Sequence, residues 1–280
     1  MKDLKERMVE DMKLRGFTAG TQRAYLDAIR ALAAHCHRPP DQLSQEQIRD
    51  YLLYLIETRK LAKSTFRIHL SALKFLYRRT LGRPWPVLAL PRLKSDKKLP
   101  AVLRREQVWS LLDRVRHPHA RMSLILMYTC GLRVSEALHL RVPDIDSQRM
   151  VVWVRHGKGE KDRSVPLPQP TLVELRAYWV KYRPATWLFS TQSGTTPIRR
   201  DAVGACLKAA LRESSLRQKV SCHTLRHSYA THLLEAGVHL RAIQALLGHR
   251  SLKTTFLYLH LTQSTMADVQ AQINQVMTRP

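Results

Sequence analysis

Residues 81 to 104 read LGRPWPVLALPRLKSDKKLPAVLR, and Pro84, Pro86, Pro91 and Pro100 punctuate the stretch. Each proline lacks a backbone N–H and clashes with the turn before it, so no long helix can cross this region. Hydrophobic spacing on both sides is helical, which constrains the chain to two bodies joined by a non-helical connector. The expected organisation is an N-terminal helical domain over residues 1–90, a linker over 91–104 and a second domain over 105–280. A chain of 280 residues is long enough to give each body its own core.

Within the first body, SQEQIRDYLLYLIETR starts on Ser44 with Gln47 three residues later, the pattern of a capping box. Ile48, Tyr51, Leu52, Leu55 and Ile56 then recur at helical spacing. In STFRIHLSALKFLYRR, Phe66, Leu70, Leu73 and Tyr77 form an apolar stripe, with Lys63, Arg67, Lys74 and Arg78 on a second stripe beside it. A charged stripe beside a core stripe is ordinarily a solvated face, but all four charges here share one sign. Lys94, Lys97 and Lys98 continue the basic series into the linker.

The second body is also mainly helical. HARMSLILMYTC is expected to be a helix ending at Gly131. MVVWVRHGKGEKDRSVPL has two extended runs around a glycine-containing turn, which predicts a hairpin. The expected fold class is therefore mainly α with a small β-sheet, the second domain being α+β.

Charge narrows the partner. Lys plus Arg total 47 against 22 Asp plus Glu, a formal net charge of +25, and the pI is near 10.6. Residues 1–99 hold 21 basic and 10 acidic side chains, so both bodies are basic. An excess this large is self-repulsive unless a polyanion neutralises it, and nucleic acid does so with release of counterions. A cationic membrane binder fits less well, because the charge is spread along the chain instead of lying on one amphipathic helix. MKDLKERMVEDMKLRG has no apolar segment of the signal-peptide kind, and no run is long enough to span a bilayer. Cys36, Cys130, Cys206 and Cys222 lack CxxC spacing and read as reduced thiols. The expected location is cytoplasmic, with the nucleoid. The HCH triplet at His35 to His37 is too local to indicate a metal.

Four stretches hold chemically capable residues. In GLRVSEALHL, Arg133 sits beside a helix N-terminus, where a cation makes sense if an anion binds between the two, although a solvent-facing arginine fits this stretch equally. In HGKGEKD, Lys158 lies between two glycines at the hairpin tip; the Walker A spacing is absent. In HTLRHSYATHLL, His223 and Arg226 share one face and diverge from the apolar stripe of Leu225, Tyr229 and Leu233; there is no H-E-x-x-H zinc motif. In LLGHRSLKTTFLYLH, Leu252, Phe256 and Leu259 predict the buried face. Tyr258 falls about 120° from its centre at α-helical spacing. By that geometry it lies off the core stripe, which weighs against a core role and leaves an interfacial tyrosine as an alternative.

Taken together, CGLRVSEAL, GKGEKDR, HTLRHSYATHLL and LLGHRSLKTTFLYLH resemble the linked blocks of the tyrosine recombinase (phage integrase) family, over almost the whole chain. The resemblance implies Tyr258 as nucleophile, Arg133 and Arg226 as the phosphate-gripping pair, and Lys158, His223 and His249 completing the site. It implies attack on a DNA phosphodiester to leave a 3′-phosphotyrosine and a 5′-hydroxyl. Lys158 would then act as acid for the leaving oxygen and His223 as base, with His249 donating to the phosphate. Two arginines supply the charge that divalent cations supply elsewhere, so no metal is expected, and neither is ATP or any other cofactor. Asp144 and Asp146 are expected to lie in a loop.

The resemblance further implies a helical core-binding domain and a catalytic domain that close on double-stranded DNA as a C-shaped clamp. Lys63, Arg67, Lys74, Arg78, Lys94, Lys97 and Lys98 are the expected DNA contacts. A tetramer on two paired sites is implied, with residues 261–280, including Val269, Ile273 and Val276, as a segment passed to a neighbour. The short span between Pro168 and TWLFS lacks the insertion of integron integrases, favouring a simpler integrase of transposon-borne or chromosomal type. A type IB topoisomerase-like nicking-closing enzyme is the nearest rival, since it uses similar chemistry without paired sites. A DNA-binding protein with a dead site would not need this full set of residues.

Overall fold

The computed structural model describes residues 3–84, 101–155, 162–191, 194–249, 251, 255, 256 and 258. Two compact units divide the chain, at residues 1–97 and 98–280.

The first unit contains α1 (Leu4–Leu14), α2 (Ala19–Cys36), α3 (Gln45–Glu57) and α4 (Lys63–Phe75). The α3 capping box forms as its residues dictate. The Gln47 N–H donates to Ser44 Oγ at 3.2 Å, and the Ser44 N–H donates to Gln47 Oε1 at 3.0 Å. Ile48, Tyr51, Leu52 and Leu55 are buried, while Ile56 lies outside the core, so the apolar stripe is narrower than its spacing predicts. Phe66, Leu73 and Tyr77 join Met8, Met12 and Leu32 in this core, and Leu70 packs against it half-buried. A single π turn, Leu76–Thr80, ends α4. Its wider turn lets the consecutive Leu76 and Tyr77 both face inward. Lys63, Arg67, Lys74 and Arg78 are exposed. Lys94, Lys97 and Lys98 lie outside the described residues.

The second unit runs α5 (Arg105–Asp113), α6 (Pro118–Thr129), α7 (Val134–Leu138), β1 (Ile145–Asp146), β2 (Val151–Val154), β3 (Arg163–Pro166), α8 (Gln169–Tyr182), α9 (Arg200–Arg212), α10 (Cys222–Glu235) and α11 (Leu240–Leu247). The chain is thus mainly α with a small sheet. Helix α6 is apolar on nearly every side and lies at the centre, packed against α5, α8, α9 and α10. The sheet is antiparallel in the order β1-β2-β3, with Val152 opposite Val165. Val152, Val154 and Val165 alternate into the core, as period-2 strands require. The hairpin forms as its sequence predicts; Lys158 in its turn lies outside the described residues. Asp144 is not in a simple loop. It is buried in a 3₁₀ turn, where it accepts from Arg155 Nε at 2.6 Å and from the Arg141 N–H at 2.8 Å. No helix among the described residues is long and apolar enough to cross a membrane.

Gly131, just beyond α6, has φ +63. A Cβ there would sit 2.4 Å from Tyr229 Cε1 on α10, so both the dihedral and the close approach require glycine. Gly131→Ala is expected to lower stability by about 2–4 kcal/mol, summing left-handed strain and overpacking. A reduced urea midpoint of unfolding checks this, and an unchanged midpoint would refute it.

Candidate active site

The chain leaves Gly131 and enters α7, with Arg133 at the helix N-cap. One turn on, Glu136 points back. Its Oε2 accepts from the Arg133 N–H at 2.8 Å, and its Oε1 accepts from Arg133 Nη1 at 2.6 Å. Arg163, entering from β3, adds a two-pronged pair to the same carboxylate: Nη1 to Oε1 at 3.0 Å and Nη2 to Oε2 at 2.8 Å. Arg226, from α10, approaches Oε2 at 3.6 Å. Three guanidiniums therefore surround one buried carboxylate. Burial alone would push the Glu136 carboxyl up, but the hydrogen bonds and charge of Arg163, with those of Arg133, outweigh it and hold the group at about 2.

The same three arginines reach the C-terminal carbonyls of α11, which have no partner within the helix. Arg163 Nε donates to Leu246 O at 3.0 Å, Arg226 Nη2 donates to Leu247 O, and Arg133 Nη2 donates to Gly248 O at 3.1 Å. Cations at the negative end of a helix dipole are favourably placed. Arg226 Nη1 also donates to Gly131 O at 2.6 Å, tying the α6 terminus to α10. Spacing along α10 predicts Arg226 on a face diverging from the core. Instead it is 1% exposed, because α10 is buried on most sides and the arginine is satisfied by carbonyls and Glu136. Burial and the neighbouring Arg133 lower its pKa to about 10, so it stays charged at neutral pH.

Gly248 closes α11 at φ +59, with His249 next in the chain. His249 Nδ1 bonds Thr255 Oγ1 at 3.0 Å, and its ring lies nearly parallel to Tyr258, centroids 6.3 Å apart. Burial, then Arg226 and Arg133, hold His249 down at about 3. His223, exposed at the start of α10, packs edge-on to His227 at 5.0 Å. Burial of part of its ring and the charges of Arg226, Arg133 and Arg200 lower its pKa.

Tyr258 is 1% exposed and belongs to the core, while Phe256 is 45% exposed. This reverses the expected faces. The described residues here pass from a helical turn at Thr255 to 3₁₀ geometry at Phe256 and Tyr258. Residues three apart eclipse in a 3₁₀ helix, so the buried Thr255 and Tyr258 share a side. The spacing argument fails because it assumes ~100° per residue. Leu252 and Leu259 lie outside the described residues. The Tyr258 hydroxyl meets His227 Nδ1 at 3.1 Å within its own chain. Burial raises its pKa, with Arg226 and Arg133 opposing.

The structure thus gathers Arg133, Arg226, His249 and Tyr258 around α10 and α11, with His223 one helical turn from His227. Lys158 is not among the described residues. Glu136, Arg163 and His227 belong to the same cluster without having been singled out by motif. A signal existed for Glu136, an acid three residues after an arginine at a helix start. Arg163 and His227 lie inside quoted motif blocks, but nothing in their spacing points inward.

The fold is that of the tyrosine recombinases. A Tn1549 transposon integrase solved with transposon right end DNA superposes with TM-score 0.73 at 18% identity, covering 99% of this chain and 100% of that one. A lambda integrase dimer bound to a core site gives TM-score 0.73 at 18% identity, covering 90% and 95%. The phage integrase family matches residues 101–265, and the phage integrase N-terminal SAM-like domain matches residues 4–87. The "Putative integrase/recombinase y4qK" of Sinorhizobium fredii is 43% identical, covering 100% of this chain and 91% of the relative. The tyrosine recombinase XerD of Staphylococcus aureus is 34% identical, covering 84% of each. The chain belongs to the phage integrase family of tyrosine recombinases.

Because the folded pKa of Glu136 lies below its ordinary value of 4.5, the stabilisation is present above 4.5 and is lost as pH falls toward about 2. Glu136→Gln is expected to cost on the order of 3 kcal/mol at neutral pH. The difference from wild type should shrink through that acid window. Urea unfolding of both proteins at about pH 7 and pH 3 checks it, and a pH-independent difference would remove the linkage.

Proposed function

We propose that this protein cleaves and rejoins double-stranded DNA at specific sites, with Tyr258 as nucleophile. The observation that carries this reading is the placement of the Tyr258 hydroxyl in one cluster with Arg133, Arg226 and the histidines. The phenolic oxygen attacks phosphorus, the 5′ oxygen leaves, and the strand is held as a 3′-phosphotyrosine. The released 5′-hydroxyl of a partner strand reverses the step. Bond energy is retained in the phosphotyrosine, so religation needs no nucleotide.

A guanidinium carries five N–H donors, so the bonds that Arg133 and Arg226 make to protein leave donors for phosphate oxygens. Both side chains are locked in place before substrate arrives, which is what electrostatic catalysis requires. Lys158 serves as acid for the leaving oxygen, His223 stands on the base side of the site, and His249 donates to the phosphate. The exposed Lys63, Arg67, Lys74 and Arg78 track the DNA backbone from the first unit, with Lys94, Lys97 and Lys98 from the connector. Residues 1–90 serve as core-binding domain, 91–104 as linker and 105–280 as catalytic domain, each acting on the DNA. Four copies act on two sites, passing residues 261–280 between neighbours. The protein works in the cytoplasm at the nucleoid, on DNA of a mobile element.

Tyr258→Phe is expected to bind DNA like wild type and form no covalent adduct, read by denaturing gel after covalent capture from a random-sequence pool of nicked duplexes. An adduct with that variant removes Tyr258 from the role. Wild-type adduct formation should persist in excess EDTA, and loss on chelation would bring a metal into the reaction. Affinity should fall steeply with salt as phosphate contacts release counterions. On a plasmid holding two captured sites the products should be exchanged strands; relaxation alone would indicate a topoisomerase-like activity.

A further inference from the structure

We infer that His227 is the group that accepts the proton of the Tyr258 hydroxyl as that oxygen attacks phosphorus. The inference rests on Tyr258 being the nucleophile and deepens that reading by naming its base, His227 in place of the His223 that the family resemblance implies. His227 Nδ1 lies 3.1 Å from the Tyr258 oxygen, within direct proton-transfer reach. The other histidines at the site are differently engaged. His249 is turned face-on to the tyrosine ring with Nδ1 bonded to Thr255, and His223 packs against His227 rather than the phenol.

Position on α10 explains the arrangement. His227 follows Arg226 directly, so the two side chains leave the helix about 100° apart. Arg226 turns to the carbonyls of Gly131 and Leu247, and His227 turns to Tyr258. His223, one turn earlier, meets the His227 ring edge-on with planes 89° apart and restricts its rotation.

The transfer balances simply. The bond from the phenolic oxygen to phosphorus forms, and its proton passes to His227 Nδ1, giving an imidazolium. The bond from phosphorus to the 5′ oxygen breaks, and that oxygen takes a proton from Lys158. Religation runs the same transfers backward.

The charged surroundings make the base responsive to substrate. Burial, with His223 and Arg226, holds His227 down at about 4, so it is neutral at neutral pH, and its Nε2–H tautomer presents the Nδ1 lone pair to the Tyr258 hydroxyl. Among the described residues, His249 and Tyr258 are the other titratable groups beside it at the site. A DNA phosphate docking on Arg226 offsets the positive charge that weakens His227, so basicity rises when the scissile group arrives.

The test uses the full-length protein and the duplex that wild type captures from the random nicked pool. Single-turnover adduct formation is measured with oxygen or sulfur at the 5′ bridging position, sulfur needing no acid to leave. His227→Ala is expected to slow both substrates by about 10²-fold, with DNA affinity and Tm unchanged. His227→Asn, which keeps an acceptor near the Nδ1 position without a base, should be comparably slow and should gain rate at high pH where wild type has levelled off. If His227→Ala does not fold, His227→Asn decides alone. Rates within about threefold of wild type, or full recovery in His227→Asn, overturn the inference. So does recovery with the sulfur substrate, which would place His227 at the leaving group. A wild-type protein that captures no duplex overturns the nucleophile reading as well, which separates the two failures.

Discussion

The carboxylate of Glu136 lies 5% exposed among the guanidiniums of Arg133, Arg163 and Arg226, and the geometry of the site hangs on that contact. Burying one such charge costs several kcal/mol unless its partners and hydrogen bonds are well placed. Here both oxygens are filled, by side chains from β3 and α7 and by a backbone N–H. Elements far apart in sequence are pinned by one acid. Its single negative charge does not neutralise three cations, and the carbonyls ending α11 contribute only a partial charge. The cluster stays net positive in a partly desolvated position, which is the condition for holding a phosphodiester.

The same contact links the three arginines to the segment that carries Tyr258, a link the proposed reaction needs. Arg133, Arg163 and Arg226 all donate to consecutive carbonyls at Leu246, Leu247 and Gly248, the end of the helix that delivers His249 and, nine residues later, Tyr258. A displacement of the arginines displaces the start of the nucleophile segment. Backbone proximity has to be tight for this to work. A Cβ on Gly248 would come 3.3 Å from the Arg163 guanidinium, and Gly248 is in the left-handed conformation that ends α11. Glycine therefore serves the helix stop and the arginine approach at one position.

Where a residue's behaviour is set by its near neighbours in sequence, it was legible in the chain. Ser44 and Gln47 cap α3 because the box is local, and the valines of β2 and β3 alternate because the strand period is fixed. Arg226 was legible as a functional residue through its motif but not as a buried one. Its burial depends on carbonyls 95 and 21 residues away, which no helical wheel contains. Tyr258 lies on the opposite face from the one α-helical spacing predicts, because the backbone turns 3₁₀ there. Its role came from motif spacing, and its surroundings only from tertiary structure. His227 shows the limit most clearly: adjacent to Arg226 in sequence, its meaning lies in a partner 31 residues away.

Electrostatics then orders events at the site. Burial and the surrounding arginines depress His227 and His249, while burial raises Tyr258 despite those same arginines. Before DNA binds, the phenol therefore keeps its proton and the imidazoles stay neutral, a combination in which the proposed nucleophile is inert. On the proposed reading, a phosphodiester entering between Arg133 and Arg226 brings one further negative charge to three guanidiniums that share a single carboxylate. It cancels part of the field that weakens the histidines. On the proposed reading it also places phosphorus beside an oxygen already hydrogen-bonded to His227, so that binding and activation are the same electrostatic event. If Tyr258 and His227 act as proposed, a tyrosine kept among arginines avoids premature reaction because its base gains strength from the substrate's own charge.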